Sequence, residues 1–329
     1  MDLTLTRDGL QAIDALLIAT IDSEVELLNE ASRHIISGGG KHLRPHVALL
    51  SYLAAGGEDL SEAVSMAAAI EMVHTATLVH DDINDHALLR RGRPSVHARW
   101  GRTFALLTGD YMFAKVYELM APYGPEYNII MARACSELVE GETLQAVAAK
   151  AGTIDRETYK RIVALKTASL FEGAARMGAL LGGGDERTVE ALAEYAYNLG
   201  IAFQMVDDIL DVVGDPTALG KPVGADLAQG RGAFAPPPNG TTILSLQGGD
   251  DAGPTAAAAV AVAEAAATDE ADPIARMMAK LRTSGAIEAA RLQALEMIDR
   301  ARAALDDVPP SAARDELLSL TENVLNRDR

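Results

Sequence analysis

Cysteine occurs once in this chain, at Cys135. A lone thiol excludes an intrachain disulfide and a thiolate zinc site. The start, Met1-Asp-Leu-Thr-Leu-Thr-Arg-Asp8, has neither a basic region nor an apolar run of the secretory kind, so the expected location is cytoplasmic. No stretch of about twenty residues is uniformly apolar, so no membrane span is expected. Aromatic residues make up only 4% and β-branched runs are few, whereas Ala and Leu are abundant. That balance favours helices over sheets. Positive charge is scarce too: 29 Lys and Arg against 47 Asp and Glu give a formal net charge of −18, and only seven of the 329 residues are lysine. This balance argues against nucleic acid as a partner, because phosphate contacts need a basic surface. Small anions are not excluded, since they respond to local charge. With 49% hydrophobic residues the chain can bury a sizeable core, as one large domain or two.

Acidic residues, by contrast, are present in a pattern. Phe203-Gln-Met-Val-Asp-Asp-Ile-Leu-Asp211 places three carboxylates at i, i+1 and i+4. On a helix Asp207 and Asp211 share a face, with Asp208 beside them. A single D-D-x-x-D of this kind is usually a solvated acidic face. The same spacing recurs in Leu78-Val-His-Asp-Asp-Ile-Asn-Asp85, with Asp81, Asp82 and Asp85 again ending an apolar run. Carboxylates without Cys or His between them suit a hard cation such as Mg²⁺, which is usually shared with substrate phosphates. Two triads facing each other would therefore hold metal ions and a diphosphate.

The periodicity predicts an all-α protein. Helices are expected from Leu10 to about Ile36, from Pro45 through Ala54, and from Asp59-Leu-Ser-Glu62 to the first triad. Others are expected over about 103–120, 126–149, 155–181 and 186–213, ended in one case by Gly182-Gly-Gly184. Residues 214–253 read as loop, with Pro236-Pro-Pro238. An alanine-rich helix over 255–267 and helices from Pro273, Gly285 and Ser311 complete the chain, and no internal repeat is visible. Three glycines, Gly38-Gly-Gly40, leave backbone open to an anion. Lys41 and Arg44 follow them, and share a face if that turn is helical. Arg90-Arg-Gly-Arg-Pro94 follows the first triad, Lys166-Thr167 lies mid-chain, and Gly220-Lys-Pro222 follows the second triad.

These motifs resemble the trans-isoprenyl diphosphate synthases (polyprenyl synthetases). The likeness runs in order through Gly40-Lys-His-Leu-Arg-Pro45, Glu71-Met-Val-His74, Asp81-Asp-Ile-Asn-Asp85 with Arg90-Arg-Gly92, and Gly109-Asp-Tyr111. It continues through Gly141-Glu-Thr-Leu-Gln145, Lys166-Thr167, Phe203 to Asp211, Gly220-Lys221 and Ser284-Gly-Ala-Ile-Glu-Ala-Ala-Arg291. The resemblance implies one polyprenyl synthetase domain over 1–329, with an irregular Gly/Pro-rich segment at about 230–254. The implied fold is an isoprenoid-synthase-type helical bundle around a deep central cavity, usually a homodimer.

The implied activity joins isopentenyl diphosphate to an allylic diphosphate with three Mg²⁺ ions. Position by position, it makes Asp81, Asp85 and Asp207 direct metal ligands, with Asp82, Asp208 and Asp211 supporting the ions directly or through water. Arg90, Lys166 and Lys221 would hold the allylic diphosphate, with Thr167 and Gln204 beside the reacting carbon. Lys41, Arg44, His74 and Arg91 would hold the diphosphate of isopentenyl diphosphate. The likeness departs after Asp226, where Asp226-Leu-Ala-Gln-Gly-Arg231 is followed by Gly-Ala-Phe-Ala and three prolines instead of a helix.

Product length is expected to depend on Thr77 and Ala76, four and five residues before Asp81, then Val73 and Ala69. All are smaller than the aromatics that family members making short products tend to carry there. Twelve residues of helix give about 18 Å of depth, so an all-trans product longer than C20 is expected, unless Met112, Phe113 and Val116 on the facing helix close the tunnel. The alternatives are a farnesyl or geranylgeranyl diphosphate synthase, a non-catalytic subunit of a heteromeric synthase, and a terpene cyclase. The last has no use for a second acidic triad or a second diphosphate pocket. A hydrophobic product makes transient membrane contact plausible.

Overall fold

The structure, a computed structural model, describes residues 5–151, 154–214, 224, 232–234 and 273–326. They divide into two compact units. One comprises Met1–Cys135, Leu170–Ala196 and Arg302–Leu320, the other Ser136–Ser169, Tyr197–Ala301 and Thr321–Arg329.

The first unit is organised on α4 (Ser61–Asn84), whose start is fixed by the Ser61 N–H donating to Asp59 Oδ1 at 2.9 Å. Met66, Ala67, Ala68, Ala69, Ile70, Met72, Val73 and Ala76 are all fully buried. A helix apolar on every side belongs in a core. α4 has the length and mean hydropathy (1.2) of a membrane-crossing segment, but 72% of that window is buried within the protein. Around it pack α1 (Arg7–Thr20), α3 (Leu43–Ala54) and, along most of its length, α6 (Arg102–Met120). Gly109 permits the closest approach of α6, since a Cβ there would run into the His80 imidazole. His80 in turn meets the Leu106 carbonyl at 3.1 Å, which ties α4 to α6 one residue before Asp81.

Three local expectations are corrected. The pattern over 10–36 is two helices, α1 and α2 (Glu26–Ile36). Ser23 Oγ accepts the Val25 N–H at 3.1 Å, and such side-chain bonds compete with the helical ladder. The turn after the three glycines is not helical at Lys41, because His42 adopts a left-handed φ of 44° and α3 begins only at Leu43. Lys41 and Arg44 therefore do not share a helical face. Third, a small hairpin, β1 (Leu89–Arg90) and β2 (Arg93–Pro94), stands after α4, followed by α5 (Val96–Trp100). Its two-residue turn, Arg91 and Gly92, has φ values of 51° and 73°, as a tight hairpin requires.

The second unit holds the later part of α7 (Pro125–Ala151), α8 (Arg156–Val163), the later part of α10 (Glu186–Val213), α11 (Pro273–Thr283) and most of α12 (Ala286–Ala304). α9 (Ser169–Leu181) and α13 (Ala312–Leu325) belong largely to the first. The helix expected over 155–181 is interrupted by a π turn at Ala164–Ala168, which carries Lys166 and Thr167. α10 ends where expected. Arg282 donates to the Val212 carbonyl at 2.8 and 3.2 Å, placing a cation on the negative end of that helix. The helix expected over 255–267, most of the Gly/Pro-rich segment, and Lys221, Asp226 and Arg231 lie outside the described residues.

Candidate active site

The first triad ends α4, with Asp81 in the last turn and Asp85 at the C-cap. Asp81 and Asp85 are half-buried, whereas Asp82 is fully buried. Arg90, from the hairpin, donates to Asp82 Oδ1 through Nε at 2.9 Å and Nη2 at 2.5 Å. Burial pushes the Asp82 carboxyl above the usual range against the pull of these bonds. For Arg90, burial works against the charge, but the bonds to Asp82 and the fields of Asp82, Asp81 and Asp85 outweigh it and raise its pKa. The i+1 aspartate thus fastens the hairpin to α4, while the i and i+4 aspartates stand one helical turn apart.

Beside this lies a basic cluster. Arg44 stacks over the Phe171 ring at 4.6 Å, a cation–π contact. Arg91 lies against Gly40, its Nη2 3.1 Å from where a Cβ would be. Burial and the cations Arg44, Arg91 and Arg90 hold the His74 pKa down to about 3, despite Glu71. His74 is therefore a neutral hydrogen-bonding group at working pH, and positive charge comes from its arginine neighbours.

In the second unit Asp208 and Asp211 are both buried and Asp207 is half-buried, and three protein donors converge on Asp208. The Tyr159 hydroxyl and the Ala233 N–H each donate to Oδ2 at 2.8 Å, and Gln204 Nε2 donates to Oδ1 at 2.9 Å. Thr167 Oγ1 donates to Gln204 Oε1 at 3.0 Å. Burial first, then the charge and hydrogen bond of Asp208, raise the Tyr159 pKa far above its ordinary value, so it remains a donor. Ala233 and Phe234 are buried. The segment where the family likeness departs is therefore anchored at its start on this aspartate. Lys166 Nζ lies 2.5 Å from Glu142 Oε1 and donates to Gln145 Oε1 at 3.0 Å. Gly141 makes room for this arrangement, since a Cβ there would sit 2.6 Å from the Lys166 backbone nitrogen.

The oxygen-only donor set suits a hard divalent cation. Asp82 Oδ2 is buried with no hydrogen-bond partner among the described residues. Among those residues no three His, Asp, Glu or Cys side chains already converge as a metal cluster.

Residues 25–235 match the polyprenyl synthetase family. The chain belongs to that family. Among its polyprenyl synthetase relatives, an octaprenyl diphosphate synthase of Escherichia coli is 33% identical over 328 residues, covering 99% of this chain and 98% of the relative. A short chain isoprenyl diphosphate synthase of Methanothermobacter thermautotrophicus is 35% identical over 320 residues, covering 93% and 92%. A crystal structure of a polyprenyl synthase from Caulobacter crescentus, complexed with calcium and isoprenyl diphosphate, superposes with a TM-score of 0.87 at 32% identity, covering 99% of this chain and 96% of that one. The expected all-α isoprenoid-synthase fold is borne out. Five polar partners escaped the sequence reading as site residues: His42, Glu71, Glu142 and Gln145, present in the family motifs but given no role there, and Tyr159. Their proximity to the motif side chains is created by packing between helices.

Proposed function

We propose that the protein is a magnesium-dependent trans-polyprenyl diphosphate synthase that lengthens an allylic diphosphate with isopentenyl diphosphate. The observation that carries this is the pair of D-D-x-x-D triads, each with its middle aspartate fastened by protein donors, in a polyprenyl synthetase chain whose relatives match over nearly their full length. Asp81, Asp85, Asp207 and Asp211 would hold the metal, three ions in all, while Asp82 and Asp208 keep each triad aligned. When bound, magnesium supplies Lewis-acid stabilisation to the departing diphosphate.

The chain's own residues do the rest. Arg90, Lys166 and Lys221 bind the allylic diphosphate, whose C–O bond breaks. Lys41, Arg44, Arg91 and neutral His74 orient isopentenyl diphosphate so that its double bond forms the new C–C bond. The proton then lost from isopentenyl diphosphate passes to the released diphosphate. Thr167 and Gln204, joined by a hydrogen bond, stand beside the reacting carbon.

The product is longer than C20. Support comes from the small, buried Ala76 and Thr77 on α4 above Val73 and Ala69. Relatives with names from short chain to octaprenyl show that family membership alone does not set length. Purified protein with farnesyl and isopentenyl diphosphates should give products above C20 on chromatography; a product no longer than C20 would overturn this part. Ala76→Phe is expected to shorten the product, at a packing cost of about 1–3 kcal/mol. Unchanged length in the folded variant would place the growing chain elsewhere.

The working assembly is a homodimer, supported by exposed Phe104, Leu107 and Tyr117 on α6 and Ile129, Val139 and Val147 on α7. Activity of the purified chain alone separates this reading from that of a non-catalytic subunit.

A further inference from the structure

We propose that Glu71 and His42 are positioning residues for the isopentenyl diphosphate pocket, forming an ion relay Asp14–His42–Glu71 that holds Lys41, Arg44 and Arg91 in place. The inference rests on the pocket assignment of the preceding section. Glu71 is only 4% exposed on α4, three residues before His74 and so on the same side of the helix. A carboxylate so buried is costly unless it is paired. Its oxygen Oε1 lies 3.3 Å from His42 Nδ1, and His42 Nε2 lies 3.2 Å from Asp14 Oδ1 on α1. Both imidazole nitrogens therefore face carboxylates, and only the imidazolium donates from both.

His42 reaches this position through a left-handed backbone, φ 44°, a region few non-glycine residues occupy, His being among those enriched there. The two carboxylates hold it there. Lys41 precedes it, and Arg44 follows by two residues on the first turn of α3. From the other side the Arg91 guanidinium lies against Gly40. The loop carrying the pocket's cations is thus held between the relay and Arg91. The charged and titratable groups around the relay are Asp14 from α1, Arg44 from α3, Glu71 and His74 from α4, and Arg91 from the hairpin.

The Glu71 carboxylate beside Nδ1 raises the His42 pKa above 6.5 despite burial, and the field of Asp14 adds to it against Arg91. Because the folded value is raised, the imidazolium and its two ion pairs are intact at low pH and are lost as pH rises through that value. KM for isopentenyl diphosphate should therefore climb on the alkaline side.

The test is steady-state kinetics with each substrate varied in turn. Glu71→Gln is expected to raise KM for isopentenyl diphosphate about tenfold or more, leaving the allylic KM and kcat close to wild type. If Glu71 only offset positive charge, its removal would tighten diphosphate binding instead, so the sign of the change decides. His42→Arg keeps a cation able to donate to both carboxylates, and should retain the low KM while abolishing its alkaline rise. His42→Gln should not. A lowered or unchanged KM in Glu71→Gln, equal losses for both substrates, or the wild-type alkaline slope in His42→Arg would each overturn the relay. Absence of turnover in the wild type would defeat the prenyltransferase reading instead. Calorimetric binding of isopentenyl diphosphate to wild type and Glu71→Gln would then still decide, equal affinities overturning the relay.

Discussion

Asp81→Asn is expected to lower kcat by about 10³-fold or more while leaving the helical circular-dichroism spectrum and melting temperature near wild type. Asp81 and Asp85 are the half-buried pair one turn apart at the end of α4. Losing one hard oxygen charge where a leaving group must be stabilised costs several kcal/mol, and each 1.36 kcal/mol is about tenfold in rate. Removing a negative charge beside Asp82 and Asp85 relieves repulsion, which offsets the lost attraction to Arg90, so stability should change little. Single-turnover measurement with a saturating allylic primer separates the chemical step from product release. A variant with near-normal turnover would remove Asp81 from the metal-binding set.

Asp208→Ala is expected to show the opposite signature in its cause: activity lost because the second triad's framework comes apart. The substitution leaves the Tyr159 hydroxyl, one Gln204 amide proton and the Ala233 N–H without their acceptor. Orphaned buried donors cost about 1–3 kcal/mol each. The effects are not independent, and a total near 3–5 kcal/mol matches the cost of breaking a buried charged network. Thermal or urea unfolding should register it. Tyr159→Phe, which removes one donor and leaves the carboxylate two others, should cost about 1–2 kcal/mol. If Asp208→Ala unfolds at the wild-type midpoint, Asp208 is not the anchor that its three partners suggest.

Much of the helical layout was legible because it depends on periodicity. Glu186–Val213 with its triad is a long segment with helical apolar spacing, while α4, apolar on every side, was legible from its length and from the triad that ends it. What escaped has a physical reason in each case. His42 bends the chain at a point where its ring meets two carboxylates on other helices, 28 and 29 residues away on either side, which no local pattern displays. The hairpin at Leu89–Pro94 is too short to show alternation. The different standing of Asp82 and Asp208 within their triads could not be read from D-D-x-x-D spacing. It is decided by Arg90 from the hairpin and by Tyr159 from 49 residues earlier. Glu142 and Gln145 stood in a recognised motif, but their use in holding Lys166 required α7 to lie against the π turn.

That π turn also solves a problem of phase. Tyr159 and Thr167 both reach α10, at Asp208 and Gln204. Residues eight apart on a regular α-helix point about 80° away from each other. Seven apart, they would nearly eclipse. The wider turn at Ala164–Ala168 takes up one surplus residue, so the two side chains come back into step across an eight-residue interval. The winding defect thus gives a lysine a place in the sequence between two contacts that would otherwise drift out of register.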